Sequence, residues 1–218
     1  MPYYSKAKEN HGKGRLIRLI FEVGFKFTLN PFRILRAARR AIKAHQKHEE
    51  ELYFTESELE KWIQSEMTLS TKLNLNNREK PLKIALVGHR YLLNDSLSNL
   101  NIKENLAKKG VDIITSEQMP RKLIEDQMNK LDYNIYFDYV REILGTVMYF
   151  QENKTVDGIL QLAVFSCGPD SIILELASRY SQRTSGPPLL QLVIDELTSE
   201  VGFSTRLEAF LDMVERRN

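Results

Sequence analysis

Two patterns of apolar residues divide the chain. From Arg15 to Phe21, apolar and basic residues mix at helical spacing, and Pro31 interrupts the pattern. Phe32, Leu35, Ala38 and Ile42 then recur at three and four residues, which predicts a second amphipathic helix. Thr55 followed by Glu58 has the spacing of a capping box, with Leu59, Trp62 and Ile63 on one face behind it. Asn74 to Lys80 is polar, and Pro81 follows. Residues 1–80 therefore read as a helical, basic N-terminal segment ending in a linker.

Beyond Pro81 the period changes. Ile84 to Val87 is a short apolar run ending at Gly88, and Leu106 to Gly110 closes a helix on a glycine stop. Val111 to Ile114, Ile159 to Phe165 and Leu189 to Ile194 read as further strands. Residues 118–152 read as helical, with Tyr139, Ile143, Met148 and Phe150 as core candidates. Pro169 to Tyr180 and Thr205 to Arg216 read as helices, the last opened by a Thr205–Glu208 capping box. Strands apolar on both faces, alternating with helices, predict a sheet covered on both sides. The expected fold over residues 81–218 is α/β, with four mostly parallel strands in a Rossmann-like sheet and helices on both faces.

Composition and charge refine this picture. The apolar fraction of 42% suits a globular core, and no run of about 18 apolar residues marks a membrane span. The N-terminus lacks the apolar core of a signal peptide, and the single cysteine excludes an internal disulfide, so a cytoplasmic setting is expected. Residues 1–48 carry 12 Lys and Arg against Glu9 and Glu22; the remainder carries 19 basic and 27 acidic residues. The basic segment can meet nucleic acid, an anionic membrane or the acidic remainder of its own protein. Packing of Leu16, Ile17, Ile20 and Phe21 on protein is the plainer reading.

Candidate chemistry sits at the strand ends, because open parallel sheets bind ligands beyond their carboxyl edge. Gly88-His89, Ser166-Cys167-Gly168-Pro169-Asp170 and Asp195-Glu196 end three of the four strands. Gly168 allows a sharp turn, Pro169 suits a first helical position, and Cys167 falls by a helix N-terminus that favours a thiolate. The alternative is an inert, buried cysteine. Arg206 is not needed for a cap and can face an anionic ligand or pair with Asp195 or Glu196. His89 could end a strand or act as a ligand or base. Phosphate loops, G-x-G-x-x-G, C-x-x-C, H-E-x-x-H and G-x-S-x-G are absent, and the aromatics form no nucleic-acid platform.

Three strings come in order: Phe165 to Ser171, Pro188 to Glu196, and Thr205 to Phe210. Together they resemble the C-terminal part of the 2-hydroxyacyl-CoA dehydratase and benzoyl-CoA reductase family, in the branch related to the acyl-CoA dehydratase activase. The resemblance covers roughly residues 80–217. It implies a [4Fe–4S]-type iron–sulfur cluster on cysteines between two Rossmann-like halves, with Cys167 as one ligand. It also implies an ATP-hydrolysing activator of the actin/sugar-kinase type as partner, and a further chain carrying the cysteine-bearing N-terminal half. The family's Asp-Glu-His-Thr stretch here reads Asp195-Glu196-Leu197-Thr198.

Two readings of function follow. In the first, the chain is a truncated or split member of this family that contributes Cys167 to a cluster shared with another chain, for one-electron transfer. In the second, it is a cluster-free binding or assembly scaffold that retains the fold. A nucleophile arrangement of Cys167 with His89 and Asp195 also fits the residue types, provided that His89 stands within reach of Cys167.

Overall fold

The computed structural model describes residues 9–65 and 81–217, with side chains in the first helix from Gly14 onward. The linker expected over residues 74–80 lies outside the described residues. The chain forms two compact units, Met1–Leu52 and Tyr53–Asn218.

The first unit is a helical hairpin of α1 (Glu9–Gly24) and α2 (Pro31–Leu52). Asn30 Oδ1 accepts from the N–H groups of Phe32 and Arg33 at 3.0 and 3.3 Å and so starts α2 at Pro31. A Cβ on Gly24 would lie 2.5 Å from Ile34 Cγ2, so the glycine lets the helices approach. Ile34 is the one buried hydrophobic among the unit's described side chains.

The second unit begins with α3 (Glu56–Gln64), capped by Thr55 and Glu58 in the expected box. Leu59 is fully buried, and Trp62 and Ile63 pack on the core around β1 (Leu82–Val87). Lys83 Nζ donates to the carbonyls of Trp62 and Ile63, which ties the end of α3 to the first strand. An apolar helix face finds burial on the sheet, so this unit starts ahead of Pro81.

The core sheet has the order β2-β1-β3-β4, with β2 Val111–Thr115, β3 Gly158–Val164 and β4 Leu189–Ile194, and every pairing is parallel. Between β1 and β2 run α4 (Arg90–Asn94) and α5 (Ile102–Lys108), and Gly110 at φ 69° makes the expected stop. The stretch expected to be helical over 118–152 holds two helices, α6 (Arg121–Met128) and α7 (Asp138–Asn153). The polar Asp132-Tyr133-Asn134 run separates them, although Leu131 and Ile135 on either side still pack on the core. Then follow α8 (Gly168–Arg183) and α9 (Glu200–Arg217).

The strands pack on both sides with a period of two. Ala85, Val87 and Ile159 face α3, α6, α7 and α8, whereas Ile84, Leu86, Leu160 and Leu162 face α4, α5 and α9. The four-stranded α/β fold expected from the sequence is thus present, and it is wholly parallel. No described helix is long and apolar enough to cross a membrane.

Helix α9 begins five residues before Thr205, so the expected Thr205–Glu208 box does not cap it. Ser199 Oγ instead accepts from Gly202 N at 3.1 Å, and the Thr205 hydroxyl donates back to Val201 O at 2.9 Å within the helix.

Candidate thiol–imidazole–carboxylate site

The chain order sets the location. From β1 the sheet grows to β2 on one side and to β3 and β4 on the other, so the order reverses between β1 and β3. Ligand crevices of open parallel sheets open at that switch point, beyond the carboxyl ends. The residues that follow these two strands are His89 and Cys167.

Each is placed by its backbone. A Cβ at Gly88 would stand 3.0 Å from the Leu162 carbonyl of β3, so a larger residue would crowd that strand, and His89 comes next as the N-cap of α4. After β3, Ser166 adopts φ 67°, a left-handed conformation uncommon for a residue with a side chain. The tight turn is therefore carried by Ser166. Gly168, the residue expected to make the turn, meets open space and opens α8. Cys167 is the N-cap of α8 with Pro169 in its first turn. The Cys167 carbonyl accepts from Ser171 N and Ser171 Oγ, both at 3.1 Å.

A ring nitrogen of His89, Cys167 Sγ and a carboxylate oxygen of Asp170 all lie within 4.8 Å of one another. His89 Nε2 and Asp170 Oδ1 are 2.6 Å apart. Asp170 Oδ2 accepts from Val164 N at 3.2 Å, which anchors the carboxylate to the end of β3. Asp170 is buried, at 3% exposure, while Cys167 is half-buried. Tyr139 and Tyr91 flank the imidazole, with ring centroids at 4.5 and 5.4 Å.

The electrostatics follow from this packing. Burial alone would raise the Asp170 carboxyl, but hydrogen bonds from His89, Val164 N and Cys167 hold it below the ordinary carboxylate range. Burial pushes the Tyr91 and Tyr139 phenols up, and negative charge at Asp170 and Cys167 adds to that. Beside His89, Arg90 donates to Glu142 Oε2 at 2.8 Å and to Tyr53, which also receives Arg121 at 2.9 Å.

Other expected residues stand apart from this trio. Asp195 is exposed and builds its own turn, with Oδ1 accepting from Thr198 Oγ1 at 2.6 Å and Leu197 N at 3.0 Å. Glu196 is exposed next to it. Arg206 donates to the Gln191 carbonyl at 3.3 Å. The acid beside His89 is Asp170. It lies three residues after Cys167, one turn on at the start of α8, and that Cys-x-x-Asp spacing was the available signal.

A [4Fe–4S] cluster takes about four ligands, as a rule thiolates. Cys167 is the one cysteine of the chain, and with His89 and Asp170 the group offers three donor atoms, one of them a thiol. This donor set does not hold such a cluster within the chain.

The fold and site define a parallel α/β domain with a thiol, an imidazole and a carboxylate at its switch point. A family model, described as the CoA enzyme activase uncharacterised domain, matches residues 2–119, more than half of the chain, and the chain belongs to that family. The match takes in the hairpin, α3 and the β1–β2 half of the sheet with His89. The strings at Phe165, Pro188 and Thr205 lie beyond it. No curated protein matches the chain.

Proposed function

We propose that this chain is a component of a CoA-enzyme activation system that docks a partner chain over the carboxyl edge of its sheet and presents Cys167 to it. One observation carries the reading: the rim around Cys167 exposes large apolar side chains that a solitary domain has no reason to display. Phe165, Ile172, Leu197 and Val201 are 64%, 62%, 84% and 77% exposed. They come from the end of β3, the first turns of α8, the loop after β4 and the start of α9. Large exposed apolar side chains at the carboxyl ends of β3 and β4, on the same sheet edge as a polar centre, suit an interaction site.

The finer form of the proposal is the cluster of the resemblance. Cys167 would be the ligand this chain adds, and the partner would bring the remaining thiolates. The partner is then a chain with the cysteine-bearing half, served by an ATP-hydrolysing activator of the actin/sugar-kinase type. Anaerobic co-purification with such a chain tests this form. Iron and acid-labile sulfide present in the complex, and lost on Cys167→Ala, are the expected result. A stable complex without sulfide would leave the scaffold reading.

A nucleophile reading gains one observation, since His89 is within reach of Cys167 and is backed by Asp170 at 2.6 Å. Its mark would be Cys167 alkylation whose rate falls on His89→Ala; equal rates in both proteins would end it.

A further inference from the structure

We propose that the free chain binds one divalent transition cation of the zinc class between His89, Cys167 and Asp170, with a fourth position open to solvent or ligand. The inference does not depend on partner docking, because all three donors belong to this chain.

The argument begins with donor chemistry. Imidazole nitrogen, thiolate sulfur and carboxylate oxygen are the three ligand types that zinc accepts, and three protein ligands with one open position is its reactive arrangement. Bond lengths of about 2.0–2.3 Å around a tetrahedral ion set neighbouring ligand atoms about 3.3–3.8 Å apart. The three donor atoms here span at most 4.8 Å, so rotamer-scale adjustments close the site. The His89–Asp170 contact of 2.6 Å is a hydrogen bond shorter than that spacing, so it widens by about 0.7 Å to admit the ion in place of its proton. The cation replaces that proton and takes the Cys167 thiol proton into solvent.

The surroundings fit an ion better than a purely structural His–Asp pair. Such a pair needs neither a thiol nor solvent access, yet Cys167 stands in the same cluster and is only half-buried. Ser166 holds an uncommon left-handed backbone immediately before it, the kind of local strain found where a side chain must be aimed. Asp170 is anchored by Val164 N through Oδ2, which fixes the direction of Oδ1, the oxygen that faces His89 and would turn to the ion. Tyr91 and Tyr139 bracket the imidazole and limit its rotation.

The test uses the full chain, metal-stripped and reduced, titrated with cobalt(II) as a spectroscopic stand-in for zinc. The expected result is a thiolate-to-cobalt charge-transfer band with intense tetrahedral visible bands, saturating at one ion per chain and erased by zinc. Cys167→Ser abolishes the charge-transfer band, and His89→Gln, which removes a direct ligand, weakens binding by more than the about 10- to 100-fold that loss of a supporting residue costs. Circular dichroism of each variant checks its fold, and the wild-type spectrum decides alone if a variant does not fold. A weak octahedral spectrum with no charge-transfer band overturns the proposal. So does an anaerobic preparation of the chain alone that carries iron with acid-labile sulfide in place of a single ion.

Discussion

At the scale of single residues, Asp170 organises the site. It is buried, accepts from a backbone N–H at the end of β3, and sits 2.6 Å from His89. Removing its charge leaves His89 without its partner, so Asp170→Asn should cost about 1–3 kcal/mol near neutral pH. The pH dependence has a definite sign. The folded carboxyl titrates below its unfolded value of about 3.9, so its stabilisation is full above that value and is lost as pH falls through the folded one. Acid unfolding followed by circular dichroism should therefore be steeper below about pH 4 in the wild type than in Asp170→Asn. Parallel curves would show that the carboxylate is not held by these bonds. His89 and Cys167 were legible as strand-end residues from the apolar runs that precede them. Asp170 was visible only as part of a string, because its role depends on two strands meeting at a switch point that sequence order does not display. Asp195 attracted attention by the same strand-end rule, yet its turn absorbs it.

At the scale of elements, strand identity followed from unbroken apolar runs, and all four strands fall where those runs lie. Helix ends were less legible. Thr205 and Glu208 have cap spacing, but Phe203 is buried on one face with Leu207 and Phe210, and its tertiary burial extends the helix past the local signal. The contact between β3 and α9 gives a sharp test. A Cβ on Gly158 would fall 2.8 Å from Phe210 Cζ, 3.0 Å from Ile84 Cδ1 and 3.1 Å from Val214 Cγ2. Gly158→Ala should destabilise the second unit by about 1–3 kcal/mol through overpacking, read from chemical denaturation. An unchanged midpoint would mean that α9 is free to move off the sheet.

At the scale of the molecule, the two units differ in how they bury themselves. Both core clusters of the sheet lie between Leu59 and Val214, within the second unit. The hairpin has one buried hydrophobic among its described side chains, and Phe27, Leu29 and Phe32 are at least 80% exposed. Residues 23–48 add seven Lys and Arg and no acid. Residues 53–218 should accordingly fold cooperatively when expressed without the hairpin, with a thermal midpoint close to that of the full chain. A molten fragment would show that the hairpin belongs to the core. The charge contrast between the segments was legible from residue counts alone. The apolar exposure was not, since a helical period tells which residues share a face and is silent about what covers it.

The most direct test of the account asks whether the carboxyl edge around Cys167 is a docking surface. The chain is mixed anaerobically with a partner carrying the cysteine-bearing half, and complex formation is followed by size-exclusion chromatography with light scattering. Phe165→Asp combined with Leu197→Asp alters two exposed side chains and should leave the thermal midpoint unchanged. The account predicts that the wild type forms a stoichiometric complex and that the double variant loses at least about 100-fold in affinity, as befits two residues at the centre of an interface. A double variant that binds as tightly as the wild type would contradict it.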